Sequence, residues 1–291
     1  MRPPGRTTEQ PLRAPARPAV PPKVYDADYY LHRCAGAAQW ASSDGTQFDP
    51  LYQGSLELAQ LRPGDVLVDL GTGRAELIAV AIARGAALAV GVEYSPDALA
   101  LARRTLDRHD LGGRGAVVAA DARCLPLPEH FADLVTMLDI VEHLSPEELH
   151  ATLLEARRVL RPSGRLFAHT LPNRRIYDVT YRWQRRARPS RWRQWPADPR
   201  GELERLMHVN EQSRRSLRRA LCLAGFSDIR VDLGTSVYDD FVPDRRARRL
   251  YSHLARRPLT ATFGVADIWA EARSPGPARP RHRGGTARAR R

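Results

Sequence analysis

A chain of 291 residues has room for one large domain or two small ones, and 43% hydrophobic content is enough for a core, which excludes wholesale disorder. The formal charge of +13 first suggests a partner such as nucleic acid or an anionic surface. Its location weakens that suggestion: residues 1–23 net +4 and residues 272–291 net +7, leaving only +2 for residues 24–271.

Residues 1–23 and 274–291 are rich in Pro, Gly, Ala and Arg and lack apolar periodicity. They are expected to be disordered basic tails flanking one domain of residues 24–273. Lys23 is the only lysine against 45 arginines, which suits genome bias better than phosphate binding, since lysine binds phosphate well. The N-terminus has no apolar signal core, and no run approaches the ~20 apolar residues of a membrane span. Cys34, Cys124 and Cys222 are odd in number and lack metal spacing, so a cytoplasmic chain with reduced thiols is expected.

From Leu58 onward short apolar runs alternate with helical stretches. Val66–Leu70 reads as a strand, 76–84 as a helix, 87–92 as a second strand and 96–109 as a helix. A third strand is expected over 116–120 and a fourth over 134–138. Ser145-Pro146-Glu147-Glu148 is a helix start with a capping box, and that helix runs to about Leu160, before Pro162 and Gly164. A fifth strand over 165–170 ends at Leu171-Pro172-Asn173. Residues 174–200 break the rhythm with nine arginines, two acids and Trp183, Trp192 and Trp195. A helix over 213–224, a strand over 229–233, an Arg-rich helical candidate over 244–257 and a last strand over 266–272 complete the pattern. Such alternation implies βαβ crossovers and a mainly parallel sheet, whose ligands bind beyond the carboxyl ends of its strands.

Asp69, Glu93, Asp121 and Asp139 stand at those ends. Between the first strand and helix, Asp69-Leu70-Gly71-Thr72-Gly73-Arg74-Ala75-Glu76 makes a tight turn that exposes backbone to a ligand. A lone G-x-G also suits an ordinary turn. Glu76 stands where a nicotinamide fingerprint has its last glycine, and a carboxylate opposes a pyrophosphate there. Asp69 suits a cationic ammonium. Glu93, 24 residues on, can accept from ribose hydroxyls, and Asp121-Ala122 can flank an adenine. Three acids at three strand ends fit a nucleoside ligand without phosphate, such as S-adenosylmethionine.

The pieces VLVDLGTGRAE, VGVEYS, VVAADARCLPLP, DLVTMLDIVEHL, LLEARRVLRPSGRLFAHTLPN and LCLAGF resemble the class I S-adenosylmethionine-dependent methyltransferases, from about Tyr25 to Arg273. The resemblance implies an α/β, Rossmann-like, doubly wound seven-stranded sheet with a reversed last strand. It implies that Asp69, Gly71 and Gly73 hold the methionine part, Glu93 the ribose, and Asp121 and Ala122 the adenine, with Tyr94 and Asp139 also among the cofactor-binding residues. Ala75 departs from the family, which usually has a third glycine there.

Asp139-Ile140-Val141-Glu142-His143 follows strand four. Its polar residues share a face if the segment turns helically. His143 could deprotonate a hydroxyl, join Glu142 and His208 around a divalent cation, line the acceptor site, or simply pack. Acid-x-x-Glu-His followed by a distant histidine is similar to the ubiquinone-type O-methyltransferases and to the small-RNA 2′-O-methyltransferases, although both usually have Glu where Asp139 stands. Tyr25–Tyr30, MHVNE and ADIWAEAR are similar to glycan and natural-product methyltransferases. Residues 174–212 are expected to form an Arg/Trp-rich cover over the acceptor, suited to stacking and phosphate contact or simply a solvated face. These readings predict methylation of a hydroxyl on a small molecule, glycan or natural-product intermediate. The alternatives are RNA 2′-O-methylation and a non-catalytic RNA-binding protein with a vestigial cofactor site.

Overall fold

The computed structural model describes residues 16–187, 196–234, 249, 253, 257, 261–262 and 266–276. Seven strands form one sheet: β1 (Val66–Leu70), β2 (Leu88–Glu93), β3 (Gly115–Ala119), β4 (Ala132–Leu138), β5 (Leu160–Thr170), β6 (Ser227–Leu233) and β7 (Ile268–Arg273). Their spatial order is β3-β2-β1-β4-β5-β7-β6. β1 to β5 are parallel, and β7 runs antiparallel between β5 and β6. This is the Rossmann-like sheet with a reversed last strand. Its order turns between β1 and β4, so the ligand crevice opens beyond the ends of those strands.

The local chemistry explains the elements. VLVDL and LAVGVE are apolar on both faces because helices cover the sheet on both sides. Helix α4 (Glu76–Ala83) is apolar all round and buried, with Leu77, Ile78 and Ile82 in the cluster that holds Leu67, Leu134 and Phe167. Helix α5 (Pro96–Arg108) begins on Ser95, whose hydroxyl accepts from Ala98 N–H, with Pro96 in the first turn. Helix α6 (Pro146–Val159) starts with the expected capping box of Ser145 and Glu148. It buries Leu149, Leu153 and Ala156 on the other face beside Leu217 and Leu221.

One boundary differs from expectation. The turn signals Pro162, Ser163 and Gly164 do not separate helix from strand, because β5 already begins at Leu160, opposite Ala132. The register then shifts before Leu134 meets Arg165, so the turn residues form an irregularity inside the strand.

A layer that the strand–helix rhythm does not announce sits at the carboxyl end of the sheet. Helices α1 (Ala27–His32), α2 (Ala37–Ser43) and α3 (Pro50–Leu58) precede β1. Tyr25, Tyr30 and Trp40 of this segment pack with Val20, Leu101 and Met207. Residues 16–23, the last part of the stretch expected to be a tail, pack here too: Val20 is buried, and Ala19 N–H donates to Glu148 Oε1 at 2.8 Å. The expected tails over 1–15 and 277–291, the 244–257 helical candidate save residues 249, 253 and 257, and Trp192 and Trp195 lie outside the described residues.

Candidate active site

The loop after β1 is drawn over the end of β2 by Gly71 and Thr72, whose N–H groups donate to Val92 O at 2.9 and 3.1 Å. Gly71 has φ +73°, and a Cβ there would lie 2.8 Å from Ile140 Cδ1, so only glycine fits. Ala75, in the third-glycine position, is fully buried and held at φ +63° as the residue preceding α4. The loop thus keeps the left-handed turn with a methyl group in place of glycine. Asp69 is buried under it and accepts from Thr136 Oγ1 at 2.7 Å. Burial pushes its pKa up to about 7.

Arg74 performs a task that sequence reasoning missed. Its guanidinium is 2% exposed and lies 2.7 Å from Glu76. The remaining donors reach the carbonyls of Tyr30 and Ala35, the latter at 2.6 Å, and Cys34 Sγ at 2.6 Å. The glycine loop is therefore clasped to the α1–α2 segment. An arginine at an "x" of G-x-G-x gives no warning of this, because its partners lie some 40 residues away on elements that only the fold brings near.

Glu93 closes β2 by accepting from the N–H groups of Gly73 (3.1 Å), Tyr94 (2.8 Å) and Ser95 (2.8 Å). Its carboxylate ties the glycine loop to the β2 end and faces the same crevice; burial raises its pKa. Tyr94 donates to Val20 O at 3.1 Å. Asp121 is engaged by Arg123, with Nε at 2.9 Å and Nη2 at 2.7 Å. Ala122 beside it is buried.

After β4 the chain turns at Asp139 (φ +55°) into a short 3-10 helix, Val141–His143. This turn separates residues that the sequence groups together. Asp139 pairs with His169 Nδ1 at 2.5 Å, while Glu142 points inward and accepts from Thr170 Oγ1 at 2.7 Å. His169 is fully buried. Burial works against its charge, yet Asp139 and Asp267 raise its pKa to about 9. Burial also raises the Glu142 pKa, helped by Asp139. Neither His169 nor Thr170 carries a signal in the apolar run LFAHT.

Glu142, His143 and His208 converge. One ligand atom from each lies within 4.8 Å of the others, and the two imidazoles meet edge to face at 5.0 Å. His143 Nδ1 lies 3.2 Å from Met207 O, so it carries the proton and Nε2 keeps the lone pair. Burial, then His208, push the His143 pKa down to about 3. His208 is lowered too, chiefly by burial, and its Nδ1 is buried without a hydrogen-bond partner. The imidazole is therefore held neutral, with its Nε2 lone pair free to accept a proton or hold a cation.

All eleven expected site residues line one cavity of about 930 Å³: Asp69, Gly71, Gly73, Glu93, Tyr94, Asp121, Ala122, Asp139, Glu142, His143 and His208. The wall holds nine carboxylates against two guanidiniums, Arg33 and the already paired Arg74. Helix α7 (Glu202–Met207), in the stretch expected to form a cover, brings Leu203, Glu204 and Met207 to the chamber wall. Tyr25, Tyr29 and Tyr30 line it too, packed in one cluster with Leu203 and Met207.

Comparison with known proteins agrees with this geometry. Residues 67–164 match the family model described as Methyltransferase domain. No curated protein matches the chain. Among solved structures, a chain of the complex that the Haloferax volcanii Trm112 methyltransferase activator forms with a methyltransferase aligns at TM-score 0.56 and 16% identity, covering 86% of this chain and 97% of that one. The [4+2]-cyclase SpnF aligns at 0.55 and 18%, covering 84% and 86%. An S-adenosylmethionine-dependent methyltransferase from Mesorhizobium loti aligns at 0.54 and 18%, covering 77% and 97%. At such identities the likeness concerns the fold alone, and a cyclase among the three shows that this fold serves more than one reaction. The family match is what favours catalysis over a vestigial module, and it spans the stretch that holds the glycine loop and the ends of β1 to β4. Residues 67–164 are thus similar to a methyltransferase domain, and they lie in a sheet of the Rossmann-like order.

Proposed function

We propose that the protein moves the methyl group of S-adenosylmethionine to a hydroxyl of a small molecule, glycan or natural-product intermediate. The observation that carries this reading is the convergence of Glu142, His143 and His208 at the reaction end of the chamber. In it, Asp69 and the Gly71–Gly73 backbone take the methionine part, Glu93 the ribose, and Tyr94, Asp121 and Ala122 the adenine side. Asp139, braced by His169, borders the transfer edge.

Two neutral imidazoles and a carboxylate form a donor set that fits a divalent cation, and the unpartnered His208 Nδ1 is an open ligand position. Bound there, such an ion would lower the pKa of an acceptor hydroxyl. The chain's own contribution is placement: Met207 O fixes the His143 tautomer, Thr170 fixes Glu142, and the α1–α3 layer and α7 enclose the donor and acceptor atoms. A chamber whose charged side chains are nine carboxyl groups against two guanidiniums suits a cationic cofactor and an acceptor without phosphate, which favours a small acceptor over RNA. Cys34, Cys124 and Cys222 are all free thiols, which supports action in the cytoplasm.

The test is transfer from radiolabelled S-adenosylmethionine to a panel of phenols, sugars and single-stranded RNA. His143→Ala should lose at least about 100-fold in turnover while its cofactor affinity, read by calorimetry, stays within about twofold. Unchanged turnover would remove His143 from the reaction. Label entering only RNA would replace the small-acceptor reading.

A further inference from the structure

Residues 16–20, from the stretch expected to be a basic tail, are built into the side of the molecule that carries Asp121 and Ala122. Arg123 Nη2 donates to Ala16 O at 2.8 Å, Ala19 N–H donates to Glu148 Oε1 at 2.8 Å, and the Tyr94 hydroxyl donates to Val20 O at 3.1 Å. The Val20 side chain is buried in the cluster of Tyr25, Trp40 and Leu101. Glu148, which holds this segment, is itself fixed at the start of α6, where its Oε2 accepts from Ser145 N–H at 2.8 Å.

Arg123 joins the segment to the chamber. Its side chain is 8% exposed and stands behind the wall, whereas Asp121 is 24% exposed and lines the cavity. Nε and Nη2 grip Asp121 Oδ1 and Oδ2 at 2.9 and 2.7 Å, and Nη1 donates to Glu148 Oε1 at 3.0 Å. The fork of a guanidinium suits such a bidentate hold, which fixes direction as well as distance. Among the described residues every hydrogen bond to the Asp121 carboxylate comes from Arg123, whose own backbone N–H adds one at 2.9 Å. Glu93 differs, because backbone N–H groups of Gly73, Tyr94 and Ser95 hold it. The aim of Asp121 therefore depends on one side chain, and that side chain is steadied by Glu148 and Ala16. Oδ2 takes Nη2 alone, which leaves it room for one more donor. A carboxylate can only accept, and the donor that an adenine joined to ribose offers is its 6-amino group.

We propose that Arg123 is a positioning residue of the cofactor site: anchored on Glu148 and on residues 16–20, it presents the Asp121 carboxylate to the 6-amino group of the adenine. The N-terminal segment thereby takes part in recognising the base. This proposal rests on the methyl-transfer reading, which supplies the adenine.

The full-length protein is titrated by calorimetry with S-adenosylhomocysteine and with its 6-deamino analogue, in which purine replaces adenine. The native chain should prefer the amino form by about tenfold or more, the ordinary worth of a hydrogen bond to a charged group. Arg123→Gln should narrow that preference to about threefold or less, and Val20→Asp, which makes burial of the segment costly, should narrow it as well. A merely structural role would lower both affinities together and leave their ratio unchanged, so the ratio stays informative in a destabilised variant. A native chain that binds both compounds equally, or an Arg123→Gln variant that keeps the native preference, overturns the proposal and leaves the methyl-transfer reading standing. Preference lost in Arg123→Gln but kept in Val20→Asp overturns the part given to residues 16–20. A native chain that binds neither compound overturns the methyl-transfer reading and the proposal together.

Discussion

Replacing Arg74 with methionine tests whether the glycine loop is held by a buried charge pair. Arg74 and Glu76 are both about 2% exposed, and among the described residues no other cation is paired with Glu76. Removing the guanidinium leaves a carboxylate in a site where burial already raises its pKa. Breaking such a pair typically costs about 3–5 kcal/mol. Protonation of Glu76 limits the loss, since each unit between its pKa and the solution pH costs only about 1.4 kcal/mol. The carbonyls of Tyr30 and Ala35 lose their arginine donor as well, keeping only Cys34 Sγ at 3.5 Å and the Tyr52 hydroxyl at 3.4 Å, at up to roughly 1–3 kcal/mol each if they stay dry. The least costly response is for α1 and α2 to loosen and admit water, so a total of about 3–5 kcal/mol is expected, concentrated in residues 25–43. Urea unfolding measures the total. Hydrogen exchange should show protection lost over 27–43 and kept in β1, β4 and β5. Cofactor affinity should fall, because Tyr29 and Tyr30 then leave the chamber wall. Arg74→Met combined with Glu76→Leu removes both charges and should recover at least about 2 kcal/mol. A single-variant loss below about 1 kcal/mol, or a double variant as damaged as the single, would refute the clasp.

Two pH dependences follow from buried groups. Asp69 holds its proton up to about pH 7 in the unliganded fold, against an ordinary value near 4, so this group's contribution to stability declines as pH rises from about 4 through 7. A cationic cofactor favours the carboxylate, so binding should release a proton, and affinity should weaken by up to tenfold per unit below pH 7. Calorimetry at pH 5.5–8 in two buffers reads both effects, and a flat profile matching that of Asp69→Asn would exclude the contact. For His169 the folded value is raised to about 9 from 6.5. Its contribution, on the order of 2–3 kcal/mol, is complete below pH 6.5 and is lost as pH rises through 9. Urea unfolding at pH 6 and 9.5 should show that decline in the native protein and much less of it in His169→Gln.

The sheet was legible because its signals are local. VLVDL, LAVGVE and the capping box SPEE each specify an element within a few residues, and the reversed seven-stranded order followed from family resemblance. The acids at the strand ends were legible for the same reason, since topology alone directs them to one crevice. Trp40, fully buried with Nε1 donating to Thr105 at 2.8 Å, gave no comparable clue in its polar surroundings.

By itself the sequence determined the α/β class, the positions of β1 to β7 to within a few residues, and the acids that meet at the crevice, because strand, turn and cap preferences act over short stretches. Tertiary structure alone decided the rest. It placed His208 beside Glu142 and His143, which lie far earlier in the chain, and it buried Arg74 against carbonyls of a segment whose packing no periodicity forecasts. It also set the charges: Asp69, His143 and His169 have ordinary side chains whose proton affinities depend on what surrounds them once water is gone.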